Sequence, residues 1–281
     1  MNYRHSFHAG NAVDCAKHAL LVALLLALER KPAPYFYMET HAGRGRYRLD
    51  SAPARVTDEA ADGIQRLRAH RHGAPAALAA YLAAVDALNP GLAPQARAAV
   101  YPGSPALALA RARPGDRALL CESQPDEARA LAELAGDAAQ AGDGWAALRA
   151  ALPPRERRGL VLIDPPYEHA EEFRDAGRAL VEALGRWPSG TLALWYPLKA
   201  GGEAAGLERR IGAASVPKTL RARFELKPDG PGLNGCGLLV ANPPFRFDAE
   251  AREVLGFLVG ALAPGTGRAR VDWLVPERAS D

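Results

Sequence analysis

The sequence contains few cysteines, and their spacing excludes two classes of small-protein scaffold. Cys15, Cys121 and Cys236 stand far apart in 281 residues and form neither a Cys-x-x-Cys pair nor a Cys/His ligand pattern. A zinc site and a disulfide framework are therefore not expected. We expect these residues to be buried or half-buried thiols in a protein of a reducing compartment.

Long apolar runs are also missing. The apolar run at residues 19–28 is too short to span a bilayer. Asp14 precedes it, charged residues 29–31 follow it, and no small-residue cleavage site is present, so it does not resemble a secretory signal. We expect a cytoplasmic protein without membrane contact.

Neither sign of charge is in large excess. The net charge is +3 and the isoelectric point is near 8.8, which permits a nucleic-acid partner without requiring one. A hydrophobic share of 48% is that of a folded globular chain. The length suits one α/β domain or a domain with an insertion.

Strand and helix signals alternate along the chain. Apolar strand signals lie at residues 35–38, 118–121, 159–163, 191–196, 219–225 and 236–241, with a weak one at 136–142. Helical signals lie at residues 11–30, 104–111, 125–135, 145–151 and 171–187, and an Ala- and Leu-rich helical stretch covers 54–99. This order predicts a doubly wound, mostly parallel sheet with ligands at the carboxyl ends of its strands, and a small helical insertion at 54–99.

The strongest chemical motif is Asp164-Pro165-Pro166-Tyr167, directly after the strand at 159–163. Two prolines fix the turn and remove two amide donors, so the strand presents a carboxylate on a rigid support. A carboxylate and a backbone carbonyl that accept the two N–H bonds of an exocyclic amine would aim its lone pair at a methyl donor. Tyr167 would stack on the base. The motif predicts methylation of a nucleobase amino group, against the simpler interpretation of a proline-rich turn.

A similar motif, Asn242-Pro-Pro-Phe245, follows the strand at 236–241. We expect Asp164 to follow the fourth strand of the sheet. Asn242 would end a last strand that runs antiparallel in methyltransferase sheets, which takes it away from the cofactor edge. Asn242 is therefore predicted to be structural.

Three further features predict an adenosine-shaped ligand. The turn His41-Ala-Gly43-Arg-Gly45 allows close backbone approach, although it lacks the full G-x-G-x-x-G fingerprint of dinucleotide enzymes. Glu122 ends the next core strand and could accept both ribose hydroxyls. Asp143-Gly144 follows the weak strand and could bind an adenine amine. Each acid alone is better explained as a solvated loop charge, whereas together the acids trace such a ligand.

Basic and aromatic residues recur in three places. The N-terminal segment 3–11, with Tyr3 and Arg4, is either an arm on the core or a lid over the site. Basic clusters at residues 44–48 and 66–72 could follow a phosphate backbone. For the second cluster, a solvated helix face is the competing interpretation.

With these residues in view, the chain resembles the large-subunit ribosomal RNA adenine-N6 methyltransferases of the RlmJ type. The similar blocks are YRHSFHAGN at 3–11, THAGRGRY at 40–47, YPGSP at 101–105, RRGLVLIDPPYE at 157–168, ALWYP at 193–197 and PGTG with WLVPE within 264–277. The segment 14–18, Asp14 to His18, matches as well. The resemblance spans the chain from end to end.

The resemblance implies a Rossmann-like class I methyltransferase over residues 1–281 that methylates N6 of an adenine in 23S ribosomal RNA. It implies a monomer that uses S-adenosylmethionine, no metal, and direct methyl transfer without a covalent enzyme intermediate. The implied cofactor residues are His18, His41, Ser104, Glu122, Asp143, Gly144 and Asp164. The implied catalytic residues are Asp164, Pro165 and Tyr167, and Tyr3 would touch the target adenosine. The first strand ends in Glu39, where relatives often have aspartate.

Three alternatives remain open at this point. Two are enzymes of the same class, an adenine-N6 methyltransferase of DNA and a guanine-N2 methyltransferase of RNA. The third is a catalytically silent RNA-binding module that keeps the fold.

Overall fold

The computed structural model describes residues 8–216, 218–227 and 232–277. Its strands are β1 (Phe36–Glu39), β2 (Arg46–Arg48), β3 (Val100–Pro102), β4 (Arg117–Glu122), β5 (Ala139–Ala141), β6 (Gly159–Ile163), β7 (Thr191–Lys199), β8 (Thr219–Glu225), β9 (Leu233–Ala241) and β10 (Arg268–Val275). Its α-helices are α1 (Ala12–Glu29), α2 (Ala52–Thr57), α3 (Arg66–Ala69), α4 (Ala76–Ala87), α5 (Ser104–Leu109), α6 (Pro125–Ala135), α7 (Gly144–Ala151), α8 (Ala170–Arg186), α9 (Glu203–Ala213) and α10 (Phe247–Leu262).

In the described part of the chain, eight strands form one sheet in the order β10-β8-β9-β7-β6-β1-β4-β5. The five strands from β7 to β5 pair in parallel, whereas β9 runs antiparallel to both of its neighbours and β10 runs antiparallel to β8. The carboxyl ends of the parallel strands therefore meet along one edge, where ligands of such sheets bind. The predicted α/β fold is confirmed.

Helices cover both faces of the sheet. One apolar cluster joins the sheet to α1, α4 and α10, and the other joins it to α7, α8 and α9. Helix α1 is buried on nearly all sides. Its N-cap is Asn11, whose side-chain oxygen accepts a hydrogen bond from the Asp14 amide at 2.9 Å. This helix therefore occupies the core immediately beneath the parallel strands.

The strand signals at 159–163 and 219–225 have the bounds of β6 and β8, and the weak signal at 136–142 contains β5. Four features were not predicted: the hairpin of β2 and β3, the edge strand β10, and helices α9 and α10. The sequence suggested that β9 is the last strand of the sheet. This is wrong, because β10 follows it in the chain and pairs in the same sheet. Strand β9 does run antiparallel, so Asn242 lies at the edge opposite to Asp164.

The predicted helical stretch lies between β2 and β3. It contains α2, a π-helical segment at Ala61–Gln65, α3 and α4. The suggestion that basic residues 66–72 follow a phosphate backbone needs correction for two of them. Arg68 is fully buried and bonds to Asp86 at 2.9 Å, and Arg71 contacts the same carboxylate. Both guanidinium groups are thus paired within the protein, and they share one carboxylate.

Candidate active site

Four carboxylates line the carboxyl edge of neighbouring strands. In the order of β6, β1, β4 and β5 across the sheet, they are Asp164, Glu39, Glu122 and Asp143. Each acid ends its strand or follows it within two residues, and parallel pairing brings these ends together. The sequence reasoning placed three of these acids in the site, and the sheet order puts Glu39 among them.

Asp164 is held by a cation from a distant part of the chain. Lys17, on α1, lies with Nζ 2.9 Å from the Asp164 Oδ2 and 3.2 Å from the Asp14 Oδ1. The Lys17 side chain is 6% exposed and that of Asp164 is 16% exposed. The ammonium also lies 5.2 Å from the ring centroid of Trp195. This contact with two carboxylates fixes the position of the ammonium, which in turn fixes the rotamer of Asp164.

The turn after Asp164 is strained and tethered to β7. Tyr167 adopts φ 53°, a left-handed conformation that is rare for a bulky residue. Its hydroxyl donates to the Trp195 carbonyl at 2.5 Å, and Lys199 Nζ donates to the Tyr167 carbonyl at 3.3 Å. The tyrosine ring is 3% exposed and packs on Phe173 with 4.4 Å between ring centroids. In this conformation its faces are covered, so it could stack on a base only after leaving this pocket.

The glycine turn has the backbone that its sequence suggested. Gly43 and Gly45 have φ of 64° and 77°, and a Cβ on Gly45 would lie 2.3 Å from a Leu134 methyl carbon. The Gly43 amide donates to the Glu122 Oε2 at 2.8 Å, and the Gln124 amide donates to the Oε1 at 2.8 Å. Glu122 is 8% exposed. Each of its oxygens has a second lone pair, so this carboxylate is oriented to accept two further hydroxyl groups.

Asp143 caps helix α7 through the Trp145 amide, at 2.8 Å from its Oδ1. A Cβ on Gly144 would lie 1.8 Å from the Thr40 carbonyl, so this start of α7 can approach the end of β1 only with glycine. The ring of Trp145 meets the ring of His41 at 4.8 Å in an edge arrangement. Asp143, Trp145 and His41 therefore lie together at the carboxyl edge of the sheet.

His41 is neutral in this site. Burial lowers its pKa to about 4, although Asp164 and Asp143 raise it. Its Nδ1 is 2.8 Å from the Thr40 hydroxyl. His41 therefore adds no positive charge beside Asp164 and Asp143. An edge that carries more carboxylates than cations favours a cationic ligand.

Ser104 and Glu39 face each other rather than open solvent. The Ser104 hydroxyl donates to the Glu39 Oε2 at 2.7 Å, and the Tyr37 hydroxyl donates to the Oε1 at 2.6 Å. Glu39 is 1% exposed, and burial raises its pKa to about 8 against the pull of both hydroxyl groups. Ser104 therefore lies at the site, but its hydroxyl donates to a carboxylate of the protein itself.

His18 is deeper still. It is 1% exposed, its Nδ1 lies 2.6 Å from the Tyr101 hydroxyl, and that hydroxyl lies 2.9 Å from the one of Tyr81. The structure places this predicted cofactor residue in the core behind Lys17. Tyr3 lies outside the described residues. No group of three His, Cys, Asp or Glu side chains among the described residues could hold a metal ion.

The second motif, Asn242-Pro-Pro-Phe245, has a structural role in a turn. The Asn242 Nδ2 donates to the carbonyls of Pro188 and Gly190 at 2.7 and 3.0 Å. The Asn242 carbonyl accepts the Thr191 hydroxyl at 2.9 Å. These bonds close the turn before β7, at the far edge of the sheet, in agreement with the predicted structural role.

Two residues of the site were not given a role by sequence reasoning. Lys17 and Trp195 lie in blocks that carry the resemblance, but only the juxtaposition of α1, β6 and β7 shows that they meet Asp164.

No helix among the described residues is long and apolar enough to cross a membrane. The three cysteines are buried, as predicted.

Comparison with known proteins now adds independent information. The model of a family described as "Ribosomal RNA large subunit methyltransferase D, RlmJ" matches residues 32–275. Two relatives named "Ribosomal RNA large subunit methyltransferase J", from Haemophilus influenzae and Escherichia coli, are each 36% identical over 284 residues, covering 99% of this chain and 100% of the relative. A crystal structure of a Legionella pneumophila protein is similar with a TM-score of 0.86 and 34% identity, covering 95% of this chain and 98% of that one.

Proposed function

The chain belongs to the RlmJ family of ribosomal RNA large subunit methyltransferases, and from this premise we propose that it methylates the N6 amino group of an adenine in 23S ribosomal RNA. The observation that carries the chemistry is Asp164, presented by β6 on a diproline turn and fixed by Lys17 at 2.9 Å. The choice of 23S RNA and of adenine rests on the family and on the motif.

We propose S-adenosylmethionine as the methyl donor, because the residues at the sheet edge fit it. Glu122 has two oriented oxygens for the ribose hydroxyls, and the glycine turn permits close approach. Asp143 and Gly144, which follow β5, would bind the adenine ring, and neutral His41 does not repel a cation. When bound, this donor supplies a methyl group on a sulfonium that departs as a neutral thioether. His18 and Ser104 would act from behind the pocket wall, through the residues they hold.

Asp164 and the Pro165 carbonyl are proposed to accept the two N–H bonds of the target amine. This arrangement favours a pyramidal nitrogen with its lone pair directed at the methyl carbon. As the nitrogen becomes cationic, Asp164 stabilises the charge and takes the proton that the amine then loses. Lys17 keeps the Asp164 carboxylate in one orientation throughout. No covalent bond to the enzyme is needed.

The target base must be unpaired or flipped out to reach this edge. Tyr167 is proposed to stack on it, which requires the ring to leave Phe173 and its hydroxyl to release the Trp195 carbonyl. Base stacking of this kind is worth about 1–3 kcal/mol, which would compensate in part for the contacts that are lost. Tyr3 is proposed to contact the target adenosine.

The remaining proposals concern the whole enzyme. We propose that it acts in the cytoplasm as a monomer, with residues 54–99 as a helical subdomain within a methyltransferase domain of residues 1–281. Sedimentation velocity at rising protein concentration tests whether the protein is a monomer. A single species near 29.9 kDa is expected. A species of twice that mass at micromolar concentration would contradict the monomer.

Labelled S-adenosylmethionine and ribosomal RNA from cells lacking this gene provide the test of function. We expect label in 23S RNA, recovered as N6-methyladenosine after digestion, and none in RNA from cells that carry the gene. Asp164→Ala should remove transfer, whereas Asn242→Gly, in the similar motif, should retain it in the folded protein. Label in DNA alone, or in N2-methylguanosine, would replace the substrate proposed here.

Two further outcomes bear on mechanism and class. Full-rate transfer by Asp164→Ala would exclude the proposed mechanism. Failure of the wild type to bind S-adenosylmethionine in calorimetry would favour the silent RNA-binding module.

A further inference from the structure

The helical segment between β2 and β3 contacts the start of α1 through one carboxylate. Glu59, which precedes the π-helical segment, lies with Oε1 2.9 Å from the His8 Nδ1 and accepts a hydrogen bond from the Asn11 Nδ2 to its Oε2 at 2.9 Å. Both oxygens of this half-buried side chain are thus directed at residues just before α1. The contact joins residues nearly fifty positions apart in sequence.

The backbones meet at the same point. The Ile64 amide donates to the Gly10 carbonyl at 2.8 Å, and a Cβ on Gly63 would lie 2.1 Å from that oxygen. Only glycine allows this approach. The segment is therefore fitted to the first turn of α1, and its carboxylate has little freedom to move away.

From this point a chain of polar contacts leads to Asp164. The Asn11 Oδ1 accepts the Asp14 amide at 2.9 Å, and the Asp14 Oδ2 accepts the Gly10 amide at 3.1 Å. The other Asp14 oxygen lies 3.2 Å from the Lys17 Nζ, which lies 2.9 Å from Asp164. Asn11, Asp14 and Lys17 are all buried, so a displacement at one end has few ways to relax before it reaches the other.

We propose that Glu59 is a positioning residue for methyl transfer, setting through Asn11 and Asp14 the location of Lys17 and hence of the Asp164 carboxylate. The proposal deepens the proposed function and rests on it. It assigns the helical segment a part in the catalytic centre, in addition to any contact with RNA. A half-exposed ion pair such as His8–Glu59 adds little to stability, so loss of Glu59 should change geometry more than folding.

The first experiment compares three proteins in steady-state methyl transfer. Glu59→Gln removes the charge and one acceptor, and we expect kcat to fall about tenfold, since a shift of ~1 Å in a reacting group can cost up to ~100-fold. The dissociation constant for S-adenosylmethionine, the KM for RNA and the melting temperature should stay near wild type. The matched control is Asp58→Asn, the neighbouring acid, whose exposed partner is Arg97; asparagine also tolerates its left-handed backbone. It should retain wild-type kcat.

The second experiment is a double-mutant cycle in kcat. Asn11→Ser keeps a good N-cap for α1 but loses the amide that reaches Glu59. If Glu59 acts through Asn11, the double variant should be hardly slower than the slower single variant, because each change breaks the same connection. Multiplying effects would show that Glu59 does not act through Asn11.

The outcomes separate the two proposals. A wild type without transfer to ribosomal RNA contradicts the proposed function and this inference with it. An active wild type with unchanged kcat in Glu59→Gln overturns the positioning role alone. The same holds if kcat falls only in proportion to lost cofactor affinity or lowered melting temperature, since that pattern is what a purely structural residue produces.

Discussion

At the scale of single residues, the centre of the site is an ammonium between two carboxylates. Lys17 compensates Asp14 and Asp164 in a region where both would otherwise repel each other and lose hydration. Removing one member of such a buried group leaves an uncompensated charge, which costs more than the pair contributes. The cation is therefore required for the geometry of Asp164 as well as for its charge.

Lys17→Met should lower kcat by about 100-fold, the usual effect of removing one oriented charge or donor at a reacting centre. Methionine keeps the length of the side chain but not its charge, so Asp164 should lose its fixed rotamer. Methyl-transfer kinetics at saturating RNA measure this. Lys31→Met, at an exposed position just after α1, is the control; a similar loss there would point to a general charge effect.

Glu39 predicts a pH dependence of stability. Its pKa is about 8 in the folded chain against 4.5 as the ordinary value, because of burial. Between these values the folded state binds more protons, so its contribution to the free energy of unfolding is present in acid and is lost as the pH rises toward 8. Each pH unit within that window costs up to about 1.4 kcal/mol.

Glu39→Gln should flatten this dependence, since the amide does not titrate and can still meet the Tyr37 and Ser104 hydroxyls. Urea unfolding at about pH 5 and about pH 8 should show a smaller loss of stability in the variant than in the wild type, by at least ~1 kcal/mol. Parallel pH profiles of the two proteins would mean that Glu39 is ionised in the folded state throughout.

At the scale of elements, the direction of one strand separates two similar motifs. Both follow apolar strands and both contain two prolines, yet β6 runs parallel to β1 and β9 runs antiparallel to β7. Asp164 consequently reaches the ligand edge, and Asn242 closes a turn at the opposite edge. A tetrapeptide alone does not distinguish these roles, whereas its strand does.

Asn242→Gly should destabilise the protein by about 1–3 kcal/mol, because two carbonyls in the turn before β7 lose their donor. Glycine relieves the positive φ of this position, so the loss reports the hydrogen bonds rather than backbone strain. Chemical denaturation gives the stability, and transfer per folded molecule should be unchanged. A catalytic defect at full folding would instead place this motif in the mechanism.

The elements also show how far the sequence could lead. Continuous apolar runs such as residues 159–163 identify buried parallel strands, and the acids after them follow from sheet geometry. Strand β10 is partly exposed and carries charged residues, and α10 lacks a side-chain cap, so neither gave a clear signal. Lys17 could not be placed at the site from sequence. It is separated from Asp164 by 147 positions in the chain, and their contact depends on how α1 packs beneath the sheet.

At the scale of the whole molecule, two arginines of the basic cluster at residues 44–48 are paired within the protein. Arg44 bonds to Glu127 and Arg48 to Asp50, although the sequence suggested both as phosphate contacts. Binding of RNA would have to compete with these surface pairs, each of which is worth little.

Binding of S-adenosylmethionine should stabilise the whole chain, because the proposed pocket spans four strands. At about 100 times its dissociation constant, a ligand that binds only the folded state adds ~2.7 kcal/mol, which is several degrees in melting temperature for a chain of this size. Differential scanning fluorimetry measures this. Glu122→Ala should abolish the shift in melting temperature. A shift that persists would mean that other residues bind the ribose.

The burial of α1 has a consequence for synthesis of the protein. This helix is apolar on most sides and contacts α10, which follows about two hundred residues later; Arg30 at its end pairs with Glu250 there. At ~5–20 residues per second, translation leaves that surface uncovered for roughly 10–40 s. The nascent chain therefore exposes an apolar helix for that interval, and the Lys17–Asp164 pair can form only after the 147 positions that separate the two residues have been translated.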